Sequence, residues 1–272
     1  MLLSLNDDVS NLLLSAVALT KSLKTLSLTC WRMRLLCLPF LFKECTLRSY
    51  VPIQPAMFFP RTVWPYISIL HFFDNCPDQF VEVNSSDDRP EEYLKYTSDL
   101  LFCGIYSVDY LKTALTNMPQ LHTVTLHFPF QTNHGLPWSV LEHILTLPNI
   151  RNVAVTSHRF VPSLTPSENL TLDGRFMSLT SFQHTLSDYR HRREGMYLSE
   201  ERALTVLLSA IRHSLEQLTP STECGPLQWI SDQPDWPRLR ELRLRGEHPT
   251  IIDQSLPFIS MFSNMPRLYV LS

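Results

Sequence analysis

Glycine is scarce in this chain, with 6 residues among 272. This scarcity argues against the glycine-rich loops that cradle phosphates in nucleotide-binding proteins. The 6 cysteines contain no C-x2-C pair, and no histidine pair completes a zinc pattern. In a chain of this length the cysteines are therefore expected to be buried, reduced thiols, which favours the cytoplasm or the nucleus.

Long hydrophobic runs and catalytic signatures are also absent. No apolar run is long enough to cross a membrane, and Asp7 and Asp8 precede the signal-like stretch 12–20 where basic residues would be required. There is no G-x-S-x-G, P-loop or H-E-x-x-H signature. The net charge of −3 gives no bulk attraction to nucleic acid or anionic lipid. We therefore expect no enzyme activity, catalytic residue, cofactor or metal, and neither nucleic acid nor membrane as a partner.

Residues 22–42 form an unusually apolar segment near the start of the chain, predicted as one short helix that Pro39 ends. At helical spacing its apolar residues fall into two stripes. Two stripes predict burial on two sides, one in the protein's own core and one in a partner's groove. The alternative is that both stripes are buried within this chain, with Trp31 packed on the next domain. The first stripe is Leu23, Leu26, Cys30, Met33 and Cys37, and the second is Leu28, Trp31 and Leu35.

The same part of the chain carries a series of motifs. It opens with Leu-x-Asp-Asp-Val, continues with a Leu-Leu pair and Ser-Leu-x-x-Leu-Ser-Leu-x-Cys, and closes with Leu-x-Leu-Pro-x-Leu-Phe. In these features residues 4–48 resemble an F-box, with Asn6 in place of a common proline and Met33 in place of a frequent aromatic residue. The resemblance implies docking on the Skp-type adaptor of a cullin–RING ubiquitin ligase. By this resemblance, the adaptor-docking surface is assigned to Leu5, Val9, Leu12, Leu13, Leu23, Leu26 and Leu28, with Trp31 as an added anchor.

The remainder of the chain repeats a short pattern. Six units share an apolar anchor, and in most of them apolar residues follow at alternating positions, as in Leu121-x-x-Val124-x-Leu126. The alternation predicts a short strand after each anchor. Helical stretches are predicted over 108–118, 136–147, 197–215 and 249–265. The anchors are Leu121, Ile150, Leu179, Leu215, Leu239 and Leu268, separated by 29, 29, 36, 24 and 29 residues.

Strands and helices alternating at this period resemble a leucine-rich repeat of the longer, helical type. The resemblance implies an α/β solenoid with a curved parallel sheet and helices outside. We expect an F-box-like helical module at 1–50, a junction at 51–107 that contains an additional strand over 64–73, and a leucine-rich-repeat-like solenoid at 108–272. The sequence stops within the sixth unit, so we expect either a truncated copy or a last sheet edge that something else covers.

An insertion stretches one repeat to 36 residues and contains Arg190, Arg192 and Arg193. A lengthened loop on a repeat scaffold often meets ligands, and arginine suits an acidic or phosphorylated segment. We expect these arginines to contact the target protein. The alternative is a solvated loop without a ligand.

Together the two resemblances imply a substrate-recognition subunit of a Skp–cullin–F-box ubiquitin ligase. The helices would dock on the adaptor, and the repeats would hold an unknown protein target while other subunits transfer ubiquitin. The alternative is a repeat scaffold for protein–protein binding whose N-terminal helices only cap the solenoid.

Overall fold

Eight parallel strands form one open sheet, and they follow one another across it in chain order. A parallel neighbour requires a crossover connection, and helices supply several of these crossovers, so the fold is α/β. The computed structural model describes residues 12, 14–16, 22–49, 58–74, 101–102, 106–128, 136–157, 170, 172, 178–186, 198–221, 230, 235–245 and 262–272.

In chain order the strands are β1 (Glu44–Ser49), β2 (Ile69–Asp74), β3 (Leu101–Phe102), β4 (Tyr106–Ser107), β5 (Thr123–Phe128), β6 (Asn152–Ser157), β7 (Ser181–Leu186), β8 (Gln217–Thr219), β9 (Glu241–Leu242) and β10 (Val270–Leu271). The short strands β3 and β4 form a separate antiparallel pair. The helices are α1 (Ser22–Ser27), α2 (Trp31–Leu41), α3 (Val108–Thr116), α4 (Trp138–Thr146) and α5 (Leu198–Ile211), with a 3-10 helix at Arg61–Tyr66.

Side chains alternate between the two faces of the sheet, as strand geometry requires. In β5, β6 and β7 every second residue is buried, and Val124, Val153 and Phe182 lie side by side in register. Helices α3, α4 and α5 bury one face each on the same core, as Leu111 does from α3 and Leu141 from α4. The opposite side of the sheet, here called the open face, carries half-buried and exposed residues, and none of the described helices packs on it.

The turn before each strand repeats one backbone arrangement. The carbonyl of the residue just before one strand accepts hydrogen bonds from two N–H groups of the next unit, that of the residue just before its strand and that of the first strand residue. The Lys43 carbonyl, for example, accepts from Ser68 and Ile69 at 2.9 Å each. The arrangement recurs seven times and satisfies backbone groups at the start of the ladder. The seven acceptors, here called the junction residues, are Lys43, Ser68, His122, Arg151, Thr180, Glu216 and Arg240.

All six predicted anchors lie two residues before a strand, which confirms the predicted strands. The first five anchors are buried and Leu268 is half-buried. Two further units share this arrangement, since Phe42 and Ile67 hold the same position before β1 and β2; of these, only the strand of the second was predicted, and it was placed outside the repeat. The strand Glu44–Ser49, assigned from the sequence to the helical module, is the first strand of the sheet.

The predicted helices 108–118, 136–147 and 197–215 correspond to α3, α4 and α5. The helix predicted over 249–265 lies mostly outside the described residues. The additional strand predicted over 64–73 begins only at Ile69, since the preceding residues form the 3-10 helix. Pro65 within that helix has a fixed φ and no N–H donor, which suits a tight turn better than a ladder.

Helices α1 and α2 pack on one another and, with residues 12 and 14–16, are here called the helical unit. The prediction of one continuous helix over 22–42 is wrong. The backbone turns after Ser27, where the N–H groups of Leu28 and Thr29 donate to carbonyls three residues earlier, both at 3.1 Å. The predicted end at Pro39 is also wrong, because proline removes only its own N–H and α2 continues to Leu41.

Candidate protein-docking surface

The helical unit has its own small core. Leu14, Leu23, Met33 and Cys37 are buried there, and Leu26, Cys30, Leu36, Phe40 and Leu41 pack around them. All five members of the first predicted stripe therefore lie in this cluster. The apolar residues on the inner side of the helical unit are therefore buried by contacts within the unit itself.

The second stripe, Leu28, Trp31 and Leu35, points to solvent and is here called the exposed stripe. Trp31 is 71% exposed, Leu28 76% and Leu35 44%. Trp31 and Leu35 are four residues apart on α2, so they share one helix face, and Leu28 precedes them at the turn. The alternative in which both stripes are buried within this chain, with Trp31 packed on the next domain, is wrong for the described residues.

Hydroxyl groups hold the turn that presents this stripe. The Ser27 hydroxyl donates to the Lys24 carbonyl at 2.6 Å, and the Thr29 hydroxyl donates to the Leu26 carbonyl at 2.8 Å. Such side-chain bonds compete with continuation of the helix and favour a turn. The local sequence therefore breaks the helix between Ser27 and Trp31, and Leu28 lies in the break.

Isolated exposed apolar residues are common on protein surfaces and need no explanation. Here the distribution is uneven. The large apolar side chains that are exposed among the described residues are Leu12, Leu28, Trp31, Leu35, Tyr269 and Leu271, and four of these six lie in the helical unit. A tryptophan with neighbouring leucines on a unit this small is typical of an interaction site rather than of scatter.

The surroundings of the exposed stripe are basic. Lys24, Arg32 and Arg34 are exposed on the same two helices. The sequence has five Lys or Arg and no Asp or Glu from Val9 to Lys43, although the whole chain carries a net charge of −3. An apolar stripe flanked by cations fits a partner with an apolar groove and an acidic rim.

The structure divides the residues that the F-box resemblance assigned to adaptor docking. Leu12 (75% exposed), Leu28 and Trp31 are available to a partner, and Leu26 is half-buried. Leu23 requires a correction, because it is only 5% exposed and packs in the helical core, where no partner reaches it in this conformation. The remaining assigned residues, Leu5, Val9 and Leu13, lie outside the described residues, as do Arg190, Arg192 and Arg193.

The open face of the sheet carries a cluster of planar groups that sequence reasoning missed. The Arg48 guanidinium carbon lies 5.5 Å from the centroid of the Phe73 ring. The centroid of the His127 ring lies 5.0 Å from that of Phe73, and the two ring planes are tilted by 60°. Burial lowers the pKa of His127, which favours a neutral imidazole at neutral pH. The alternation of buried residues in β1, β2 and β5 could have revealed this cluster, because it brings the three residues to one face.

Other ionisable groups in the described residues are held by packing. Burial raises the pKa of the Cys37 thiol, and burial followed by the nearby Glu44 carboxylate raises the pKa of Cys45 to about 11. Neither thiol is activated as a nucleophile, since the reactive form is the thiolate. Within the described ranges, no group of three or more His, Cys, Asp or Glu side chains could hold a metal ion. No helix in those ranges has the length and apolar character needed to cross a bilayer.

Comparison with known proteins leaves the family open. No protein-family model matches the sequence. A search among curated proteins also finds no match. The functional conclusion therefore depends on the geometry of the two surfaces described above.

Proposed function

We propose that this chain is a non-catalytic substrate receptor of a Skp–cullin–F-box ubiquitin ligase, acting in the cytoplasm or nucleus. The helical unit is an F-box-like module that docks on the Skp-type adaptor. The parallel sheet with its helices is a leucine-rich-repeat-like solenoid that holds a protein target. Other subunits of the ligase carry out the covalent transfer of ubiquitin.

The exposed stripe is the observation that carries this proposal. Burying Trp31, Leu28 and Leu35 in a groove removes large apolar surface from water, at about 25 cal/mol per Å². A buried tryptophan surrounded by leucines is a typical hot spot, worth about 2 kcal/mol or more on truncation. The flanking cations add orientation and speed of association rather than affinity.

The alternative is a repeat scaffold whose N-terminal helices only cap the solenoid. One observation favours it, because Phe42 at the end of α2 packs against the core of the sheet. A cap, however, needs a polar outer surface to remain soluble. The helical unit instead presents Trp31 and Leu28 to solvent, so a purely capping role leaves its outer surface unexplained.

The test is co-purification of the full chain with a purified Skp-type adaptor, followed by titration calorimetry. We expect Leu28→Asp/Trp31→Asp to weaken adaptor binding at least about 100-fold, which corresponds to about 2.7 kcal/mol. Thr25→Asp is the control for added negative charge, since Thr25 is exposed on α1 and gains one of the two charges of the double variant without losing apolar surface. Leu23→Asp is unsuitable, because a charge in the helical core would unfold the unit.

Two results would overturn the proposal. One is a wild-type chain with native circular dichroism that does not bind the adaptor. The other is a double variant that binds as tightly as the Thr25→Asp control. In either case the exposed stripe does not serve the adaptor, and the scaffold alternative becomes the better explanation.

A further inference from the structure

Strand β1 forms one edge of the sheet, and among the described residues β2 is its only strand neighbour. The backbone groups of a strand point alternately to its two sides. The Lys43 carbonyl accepts the Ile69 N–H at 2.9 Å, so Lys43 and every second residue after it face β2. The N–H and C=O groups of the residues between them point away from the sheet. These outward residues are Glu44, Thr46 and Arg48.

The outward residues also carry the exposed side chains of β1. Glu44, Thr46 and Arg48 are exposed on the open face, whereas Cys45 and Leu47 are buried on the other face. An unpaired edge strand is a template for a further strand, and charged side chains commonly protect it. Opposite charges that face each other across two strands attract, however, and like charges repel. The order of the charges along β1 therefore decides which strand this edge accepts.

The charge pattern of β1 is complementary to itself in one direction only. In an antiparallel pair of two β1 strands centred on Thr46, Glu44 of each copy lies opposite Arg48 of the other, and Thr46 lies opposite its own copy. In a parallel pair in register, each charged residue would lie opposite its own copy and repel it. The pattern therefore favours antiparallel pairing of two copies about a two-fold axis.

The backbone directions agree with an axis through Thr46. Opposed residues of an antiparallel pair exchange two N–H···O=C bonds where both point toward the other strand. An axis between two residues would oppose an outward residue to one that faces β2, and these bonds could not form. An axis through Cys45 or Leu47 would place a charged residue opposite Thr46. Only the axis through Thr46 satisfies both the backbone and the charges.

Both charged side chains remain able to bind across such a pair. The Arg48 guanidinium carbon lies 5.5 Å from the centroid of the Phe73 ring, and a guanidinium held over a ring keeps its in-plane N–H donors available. Glu44 Oε1 contacts His71 Nε2 at 3.0 Å, while the Glu44 side chain is 64% exposed. A carboxylate accepts several hydrogen bonds through its two oxygens, so Oε2 can accept from a guanidinium while Oε1 keeps its contact. The neighbours on β2 therefore position both charges without occupying them.

We propose that two copies of this chain associate through β1, antiparallel about a two-fold axis at Thr46, so that their sheets continue into one another. Each copy uses its β1 edge once, so this contact closes on itself and gives a dimer rather than a fibre. An interface made by one strand edge is small, and we expect a dissociation constant of about 10–100 μM. The inference goes beyond the proposed function and does not rest on it, because adaptor docking uses the exposed stripe.

Sedimentation equilibrium of the full chain at about 1 to 500 μM tests the proposal, and we expect a reversible monomer–dimer equilibrium. Arg48→Glu opposes like charges at both ends of the pair and should weaken the dimer at least about tenfold, a loss of about 1.4 kcal/mol. Glu44→Arg should weaken it to a similar extent. Arg238→Glu is the matched control, since it makes the same charge change at an exposed arginine before β9, far from β1 in the sheet.

Mixing the two charge variants tests the pairing itself and excludes a folding defect as the cause of dissociation. Each variant repels its own copy. In the mixed pair, the Arg48→Glu chain brings only carboxylates to the charged positions and the Glu44→Arg chain brings only guanidinium groups. The mixture should therefore dimerise at least as tightly as wild type. The exchange variant Glu44→Arg/Arg48→Glu restores complementarity within one chain and should also dimerise.

Hydrogen exchange locates the contact, because the Thr46 amide should exchange more slowly at high than at low protein concentration. A wild-type chain that stays monomeric over the whole range would overturn the proposal. So would a dimer that both charge variants retain like the control, or a mixture of the variants that does not associate. A dimer that Leu28→Asp/Trp31→Asp abolishes would place the contact on the exposed stripe instead. Adaptor titrations of Arg48→Glu should match wild type, which keeps this test separate from that of the proposed function.

Discussion

Leu28 and Leu141 have the same side chain in opposite surroundings. Leu141 lies fully buried on α4 in the large core under the sheet, whereas Leu28 is exposed at the turn of the helical unit. The large core draws on every strand-bearing unit from Cys45 to Met265, while the core of the helical unit has four buried apolar side chains. Burial stabilises the sheet region, whereas the helical unit leaves part of its apolar surface exposed.

The contrast separates two uses of the same residue type. In the sheet region, apolar side chains at alternating positions all point to one covered face. In the helical unit, a short helix has apolar residues on two sides and can cover only one of them with its own chain. The first pattern predicts rigidity, and the second predicts a surface that gains stability when a partner arrives.

The largest expected effect is in the core of the sheet region. Leu141→Ala should lower the free energy of unfolding by about 2–5 kcal/mol, because it removes apolar contacts and leaves a cavity. Leu28→Ala should change it by less than about 0.5 kcal/mol, because that side chain makes few contacts in the free protein. Urea denaturation followed by circular dichroism measures both. Equal losses in the two variants would show that the exposed stripe is part of the protein's own packing.

Thiol labelling compares local opening in the two regions. Cys37 lies in the helical core and Cys45 in β1, and both are buried with a raised pKa. Each therefore reacts mainly when its region opens. The smaller core should open more readily, so we expect iodoacetamide to modify Cys37 at least about tenfold faster than Cys45, an opening free energy lower by about 1.4 kcal/mol.

Mass spectrometry of peptides digested at successive times gives the two labelling rates. Adaptor binding should slow the labelling of Cys37 and leave Cys45 unchanged. Faster labelling of Cys45 than of Cys37 would mean that the edge strand β1, rather than the helical unit, is the weaker region.

The smallest effect is a dependence of stability on pH in the sheet region alone. Burial lowers the pKa of His127 and of His143, so the unfolded chain binds protons in a range where the folded chain does not. Their contribution is complete above the unfolded pKa of about 6.5 and is lost as the pH falls below it, by less than about 1 kcal/mol because of solvent screening. The helical unit has no histidine, since His71 is the first in the chain.

Urea denaturation at a series of pH values between about 7.5 and 5.5 measures this slope. His143→Gln should flatten the slope, while its amide can still donate to the Lys112 carbonyl, which His143 Nε2 contacts at 3.0 Å. An unchanged slope in this variant and in His127→Gln would contradict the assignment. In NMR spectra, the backbone amide resonances of the helical unit should show no titration over this pH range.

Much of the sheet could be predicted from sequence because its signal is local. An anchor such as Ile150, two residues before an alternating run, marks both a buried position and the start of a strand. The units at Phe42 and Ile67 were not recognised as repeats, because 54 residues separate Ile67 from Leu121 and break the period. A fixed repeat length is a property of the connections, whereas the strand itself depends only on its own few residues.

The candidate surfaces were predictable to different degrees. Helical spacing separated the exposed residues Trp31 and Leu35 from the buried Met33 and Cys37, because a single helix fixes that geometry. Leu23 was assigned to the docking surface by resemblance, and the packing of α1 on α2 placed it in the core instead. The cluster of Arg48, Phe73 and His127 joins residues from three strands, so the register of the strands was needed to reveal it.

The seven junction residues include lysine, arginine, glutamate, histidine, serine and threonine, although every one of them accepts the same pair of hydrogen bonds. Main-chain N–H groups make both bonds at every junction, although Ser68 is buried and the Thr180 hydroxyl also donates to the Arg151 carbonyl at 3.1 Å. The junction residues therefore form a line of positions about 4.8 Å apart along one border of the sheet. Substitution of an exposed junction side chain can change which ligands this border attracts, while the spacing of the positions stays constant.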